Sequence, residues 1–172
     1  MIKLIIDKLA RITKNRKKLE EILNVIIIHR GTEVYIDGEP EDEYVAEKVI
    51  NALNFGFPFS VAIEIKKEDL MFEVLNIKHY TNQKNLARVR GRIIGAKGKT
   101  IKIISELSNC YLEIKDNKVG IIGEPEFIKN AQEAIISIAK GTKQANVYNY
   151  LEKHRPEPLV DLGLKPKRKN KL

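Results

Sequence analysis

The stretch Arg90-Gly91-Arg92-Ile93-Ile94-Gly95-Ala96-Lys97-Gly98-Lys99-Thr100-Ile101 decides how this sequence is read. Before it, Leu86, Val89 and Ile93 recur near helical spacing; after it, Ile101, Ile104 and Leu107 do the same. Gly95-Ala96-Lys97-Gly98 breaks the two stripes apart. The pattern predicts a short helix over Asn85–Ile94, a tight turn, and a second helix over Lys99–Leu107. Glycines at 95 and 98 leave backbone that a bulky ligand can approach closely. The amides opening the second helix face the same space and favour an anion, with Lys97 and Lys99 adding positive charge. Gly98-Lys99-Thr100 also imitates the end of a nucleotide-binding phosphate loop. That pattern needs its first glycine at 93, where Ile93 stands, and no strand runs into the turn. Nucleotide hydrolysis is not expected.

Outward from the turn, Asn109 reads as a left-handed helix stop. Tyr111–Ile114 and Val119–Ile122 form a hairpin around Asp116-Asn117. Glu124-Pro125-Glu126 opens a further helix, with proline and acids in its first turn, and Phe127, Ile128, Ala131, Ala134, Ile135 and Ile138 form its stripe. A short helix over Asn146–Lys153 follows Gly141, and Met71–Ile77 supplies a strand at the front. The order is β-α-α-β-β-α.

The same order occurs earlier in the chain. Ile36-Asp37-Gly38-Glu39-Pro40-Glu41 recurs as Ile121-Ile122-Gly123-Glu124-Pro125-Glu126, five identities in six at an offset of 85. The register continues through Ala46 with Ala131, Ile50 with Ile135, Leu53 with Ile138 and Gly56 with Gly141. Upstream the offset reads as 82, pairing Ile12 with Ile94, Leu19 with Ile101 and Ile22 with Ile104. The first copy is expected to run strand Lys3–Ile6, two helices to Leu23, strands Val25–Ile28 and Val34–Ile36, helix Asp42–Leu53, and an extra helix Pro58–Ile65. Two copies are too few for a stacked solenoid. They predict an α+β chain in which each three-stranded antiparallel sheet carries helices on one face.

The 172 residues are 43% hydrophobic and 31% charged, enough apolar material for packed cores. A single cysteine excludes a disulfide framework and a cysteine zinc cluster, and fits a reducing cytoplasm. No apolar run approaches membrane-spanning length, and no signal peptide is read at the start. The net charge of +8 divides unevenly, −2 over residues 1–72 and +10 over 73–172. Lys84–Lys102 carries seven basic residues and no acid, and Lys8–Lys18 carries six and no acid. This balance favours a polyanionic partner. Residues 154–172, with five basic residues in Lys165–Lys171, read as a flexible basic tail. His29, His79 and His154 lie far apart, without ligand spacing. Cys110 reads as core, and Glu39, Glu41, Asp42 and Glu43 as acids that suit a helix start.

The Ile-Gly-x-x-Gly-x-x-Ile spacing between two helices, followed by Ser108-Asn109-Cys110 and alternating Leu112 and Ile114, resembles the KH domain. The resemblance implies two tandem type I KH domains, residues 1–70 and 71–153, each followed by an extra short helix. It implies single-stranded RNA as ligand, clamped at Gly95, Ala96, Lys97 and Gly98. Arg88, Arg92, Lys99 and Lys102 would lie along phosphates. Ile94, Ile103 and the strand edge Leu112-Glu113-Ile114 would form the groove for bases. In the first copy Thr13-Lys14-Asn15-Arg16 aligns with the loop and lacks both glycines, so that copy reads as degenerate. Arg90–Gly95, Val119–Pro125 and Ala145–Tyr148 further resemble the archaeal relatives of a eukaryotic pre-rRNA processing factor, the partner of Nob. That family implies a non-enzymatic, cofactor-free, cytoplasmic factor acting near the 3′ end of small-subunit rRNA. The implied partners are the Nob endonuclease and the alpha subunit of archaeal initiation factor two. A protein–protein adaptor whose KH copies are structural is the alternative.

Overall fold

Each run of alternating apolar residues pairs into an antiparallel sheet. The computed structural model describes residues 1–155; the expected tail beyond Arg155 lies outside them. The first half contains β1 (Ile2–Ile5), α1 (Leu9–Thr13), α2 (Arg16–Leu23), β2 (Val25–Arg30), β3 (Glu33–Gly38), α3 (Pro40–Phe55), α4 (Phe59–Ala62) and α5 (Glu64–Lys67). The second contains β4 (Met71–Asn76), α6 (Leu86–Ile94), α7 (Lys99–Ser108), β5 (Tyr111–Lys115), β6 (Lys118–Gly123), α8 (Pro125–Ala139) and α9 (Gln144–Lys153). The sheets are ordered β1-β3-β2 and β4-β6-β5, antiparallel throughout. Both hairpins turn through two residues, with Gly31 (φ 59°) and Asp116 (φ 54°) left-handed, as a tight turn requires.

Helices cover one face of each sheet. Leu19, Leu23, Ile27, Ile36, Ile50 and Leu53 centre the first core; Ile77, Val89, Ile93, Ile104, Ile121 and Ile135 centre the second. Helices α3 and α8 both start on proline, where the missing N–H is no loss. Among the acids at the α3 start, Glu43 is buried and accepts from the Gly38 amide at 3.1 Å, and Asp42 accepts from Asn24 at 2.8 Å and pairs with Lys66 at 3.0 Å. The Asn24 hydrogen bond, with Lys66 beside it, holds the Asp42 carboxyl below its ordinary value. The extra helix expected over Pro58–Ile65 is two short ones, α4 and α5, meeting at Ile63.

The repeat register needs one correction. Asn24 and Asn109 both end a helix in left-handed conformation. Leu19 and Leu23 are buried five and one residues before the first cap, as Ile104 and Ser108 are before the second. The offset is therefore already 85 in the second helix of each copy. Counted from the end of α1, Asn24 lies 11 residues on; counted from the end of α6, Asn109 lies 15 residues on. The first copy is shorter by four residues: the two-residue link Lys14-Asn15 stands in place of Gly95–Gly98, and α2 is two residues shorter than α7. Thr13–Arg16 therefore does not match the turn residue for residue.

The sequence reading also missed how the halves pack. Gly120 on β6 lies on the face of the second sheet turned away from its own helices. A Cβ there would meet the rings of Phe55 and Phe57 at 2.8 Å. Phe72 completes the cluster, with ring centroids 6.0 Å from Phe55 and 5.9 Å from Phe57, and Ile122 packs into the first core. Arg11 Nη1 donates to the carbonyls of Gly56 and Phe57 at 2.7 and 3.0 Å, fixing the chain reversal between the two rings. The outer face of the first sheet carries no such cover: Ile5, Ile26 and Ile28 are exposed.

Two outcomes follow from this packing. Gly120→Ala pushes a methyl into the Phe55 and Phe57 rings and should destabilise the chain by about 1–3 kcal/mol, read by chemical denaturation. Cys110, with its sulfur 2.7 Å from where a Gly123 Cβ would sit, is pushed up to about 12 by burial. The native thiol therefore stays protonated and should not react with a disulfide reagent at pH 8, whereas the unfolded chain should. Because the folded value is raised, this group's contribution to stability is complete below the ordinary thiol range and is lost as pH rises from there towards 12.

Candidate nucleic-acid interface

The turn between α6 and α7 is built from left-handed backbone. Gly95 ends α6 at φ 76°, ψ 174°; Lys97 and Gly98 follow at φ 53° and φ 74°, and Ala96–Gly98 makes one 3-10 turn. The two glycines serve different ends. A Cβ on Gly95 would overlap the Thr100 side chain, so this glycine lets the turn close onto the first residues of α7. Around Gly98 no atom lies within 4 Å of such a Cβ. That side of the turn faces open space at the head of α7, where the helix dipole favours an anion, although the Gly98 and Lys99 amides donate to the Gly95 and Ala96 carbonyls.

Positive charge lines that opening. Ala96, Lys97, Lys99 and Lys102 are exposed at the turn and the start of α7, Arg88 and Lys84 are exposed towards the other end of α6, and the ion pairs found among the described residues lie elsewhere. Unpaired cations at an exposed turn are available to a polyanion. Arg92 departs from expectation: its guanidinium donates to the Thr142 carbonyl at 3.0 Å and is half-buried, tying α6 to the segment between α8 and α9. Gln144, at the start of α9, donates to the Arg92 carbonyl at 3.2 Å and to Thr100 Oγ1 at 3.4 Å. The last helix thus holds both ends of the glycine turn from behind. Nothing in the sequence singles out Gln144.

Beside the turn, Ile94 is exposed and Ile103 half-buried, and Leu112 and Ile114 are half-buried and pack against the second core. Glu113 lies on the opposite face. Successive strand residues alternate; Glu113 pairs with Gly120, and its side chain comes within 3.5 Å of a Gly56 Cβ, against the first half. It is no part of the groove surface. In the first copy Lys14 (φ −60°) and Asn15 (φ −112°) link α1 to α2 without a left-handed residue. Among the described residues no group of three His, Cys, Asp or Glu could hold a metal ion, and no helix is long and apolar enough to cross a membrane.

A helix–glycine turn–helix laid on a sheet ordered β4-β6-β5 is the architecture of a KH-domain protein. The model for the second KH domain of Pno1, described as a eukaryotic type KH-domain (KH-domain type I), matches residues 71–156. The chain belongs to the Pno1 family of KH proteins. A KH domain-containing protein of Methanocaldococcus jannaschii is 30% identical over 118 residues, 68% of this chain and 52% of that protein. The pre-rRNA-processing protein pno1 of Emericella nidulans is 32% identical over 111 residues, 62% of this chain and 43% of its own. The chain spans about half the length of these curated relatives. Dim2p of Pyrococcus horikoshii, solved in a complex with a/eIF2alpha and rRNA, superposes with a TM-score of 0.82 at 30% identity, covering 90% of this chain and 93% of that one.

The two glycines should separate in stability measurements. Gly95→Ala combines a left-handed alanine with overlap on Thr100 and should lower stability by about 2–4 kcal/mol. Gly98→Ala meets only the backbone term, about 1–2 kcal/mol. Equal losses would show that Gly98 is packed as tightly as Gly95.

Proposed function

We propose that this chain is a non-enzymatic, cofactor-free factor of small-subunit ribosome biogenesis that binds single-stranded rRNA through residues 71–153, in the cytoplasm. In this reading 1–70 and 71–153 are two type I KH domains, the first degenerate. The observation that carries it is the open side of Gly98, set at the head of α7 beside the exposed Lys97, Lys99 and Lys102, which have no ion-pair partner among the described residues, with Arg88 exposed further along α6. Phosphates would seat there, with Ala96 in the turn. Bases would lie across Ile94, Ile103, Leu112 and Ile114. The fungal relative is a pre-rRNA-processing protein and the Pyrococcus complex contains rRNA, and both support the substrate class. The 3′ region of small-subunit rRNA is the proposed site, with the Nob endonuclease and the alpha subunit of initiation factor two as partners. The a/eIF2alpha of the Pyrococcus complex supports the second partner. An adaptor role draws support from one feature, the exposed Ile5, Ile26 and Ile28 on the first sheet.

Fluorescence anisotropy with the full chain and a single-stranded fragment of the rRNA 3′ end tests the reading. Replacing Ala96 and Lys97 by Asp puts two carboxylates at the phosphate and should abolish binding while leaving the unfolding midpoint within a few degrees of the parent. Each phosphate contact on a single strand contributes about −0.7 to the log–log salt slope. Arg88, Lys97, Lys99 and Lys102 should together give roughly −2 to −3, and Lys99→Ala should make the slope shallower by about 0.7. Affinity that survives the double aspartate change would shift the assignment to the adaptor.

A further inference from the structure

We infer that the first half carries a groove closed from within: the Glu20 carboxylate occupies the backbone donor that a base would need, and this leaves base reading to the second half. The inference rests on the proposed RNA groove and adds what selects between the two copies.

Both hairpins share one register. In the first, Arg30 and Glu33 close the two-residue turn and Ile27 pairs with Ile36; in the second, Lys115 and Lys118 close it and Leu112 pairs with Ile121. Closing pairs are hydrogen-bonded, and bonded and non-bonded pairs alternate. Ile27 and Leu112 therefore fall at equivalent non-bonded positions, and their amides point outward from the edge strands β2 and β5. The Leu112 amide has no partner among the described residues. The Ile27 amide donates to Glu20 Oε1 at 2.8 Å, and Arg16 Nε donates to the same oxygen at 3.1 Å.

The carboxylate bridges helix α2 and strand β2, and among the described residues no side chain does the same for the Leu112 amide. Counted back from the caps Asn24 and Asn109, Glu20 corresponds to Ser105 and Arg16 to Ile101. Ser105 reaches instead the carbonyl of Cys110, just ahead of β5, its hydroxyl donating at 2.5 Å, and makes no bond to the Leu112 amide. An ionised carboxylate only accepts hydrogen bonds. On the edge amide it stands where an acceptor atom of a base would stand. Arg16 and Glu20 thus close, in the first copy, the edge amide that is left free in the second.

The test uses the full, isotope-labelled chain with millimolar single-stranded octaadenylate and octacytidylate. In the parent, the Leu112 amide resonance should move on adding RNA and that of Ile27 should not. Glu20→Ser, which copies the second half, should speed hydrogen exchange at Ile27 about tenfold or more and make its resonance move with RNA. Glu20→Gln keeps an acceptor and should leave Ile27 slow and silent. The transplant of Ile101→Arg with Ser105→Glu should slow exchange at Leu112 and weaken RNA binding at least tenfold. An Ile27 resonance that moves with RNA in the parent, or stays silent in Glu20→Ser while Leu112 responds, overturns the plug and leaves the RNA reading standing. A Leu112 resonance silent in the parent overturns the RNA reading; the plug then stands or falls with the response of Ile27 in Glu20→Ser. Unchanged resonances of Val49 and Ala52 in the first core and of Ala134 and Ile135 in the second report that each variant is folded.

Discussion

The seal that Phe55, Phe57 and Phe72 make over Gly120 is the contact on which the rest of the molecule depends. A three-stranded sheet with helices on one side leaves its other side to water, and apolar residues there are poorly placed. The end of α3 and the reversal at Gly56 cover that side for the second sheet. Lys115, on β5, donates to Asp7 at 3.4 Å and to the Asn54 carbonyl at 3.5 Å. The strand whose edge borders the proposed groove is thus held by residues of the first half. The groove belongs to the whole chain, although its own elements come from one half.

The opposite side of that groove is fixed in a similar way. A left-handed turn such as Gly95–Gly98 is intrinsically unfavourable for Lys97, whose φ is positive without being glycine. It persists because Thr100 closes under Gly95 and because α9, through Gln144, holds the carbonyl before the turn and the hydroxyl after it. Arg92 contributes a third tie, to Thr142. The short final helix is therefore a brace for the turn. Such bracing matters for a phosphate clamp, since donors already in place need not be ordered when the ligand arrives.

Local patterns carried most of the sequence reading. Periodicity located the strands and helices, Asn109 was legible as a left-handed stop, and the glycine spacing stood out against two apolar stripes. What escaped was every feature that depends on two distant stretches meeting. The aromatic seal needs Phe55, Phe57, Phe72 and Gly120 together, and none of them is unusual alone. Glu113 alternates correctly in the sequence, but which face is the groove face appears only when the sheet is assembled. Arg92 belongs to an acid-free run, and no pattern distinguishes a guanidinium bound for a carbonyl from one left in water. The repeat misled in one place. Thr13–Arg16 can be aligned with Gly95–Gly98 only without the cap asparagines, whose conformation shows that four residues are missing.

That loss and the Glu20 contact belong to one physical problem. Strand β2 reads Val25-Ile26-Ile27-Ile28, β-branched throughout, and lies at a sheet edge. An uncovered apolar edge with free amides invites pairing with another chain. In the second copy a bound single strand would cover the corresponding edge. Without the glycine turn the first copy would hold a strand there only weakly, and its edge is better protected some other way. A charged group placed on the outward amide does this: it satisfies the donor and puts a carboxylate where an incoming strand would have to present a carbonyl. On the proposed reading, the missing glycine turn and the Glu20 carboxylate are two sides of a single difference, between an edge open to a ligand and an edge covered by its own side chain.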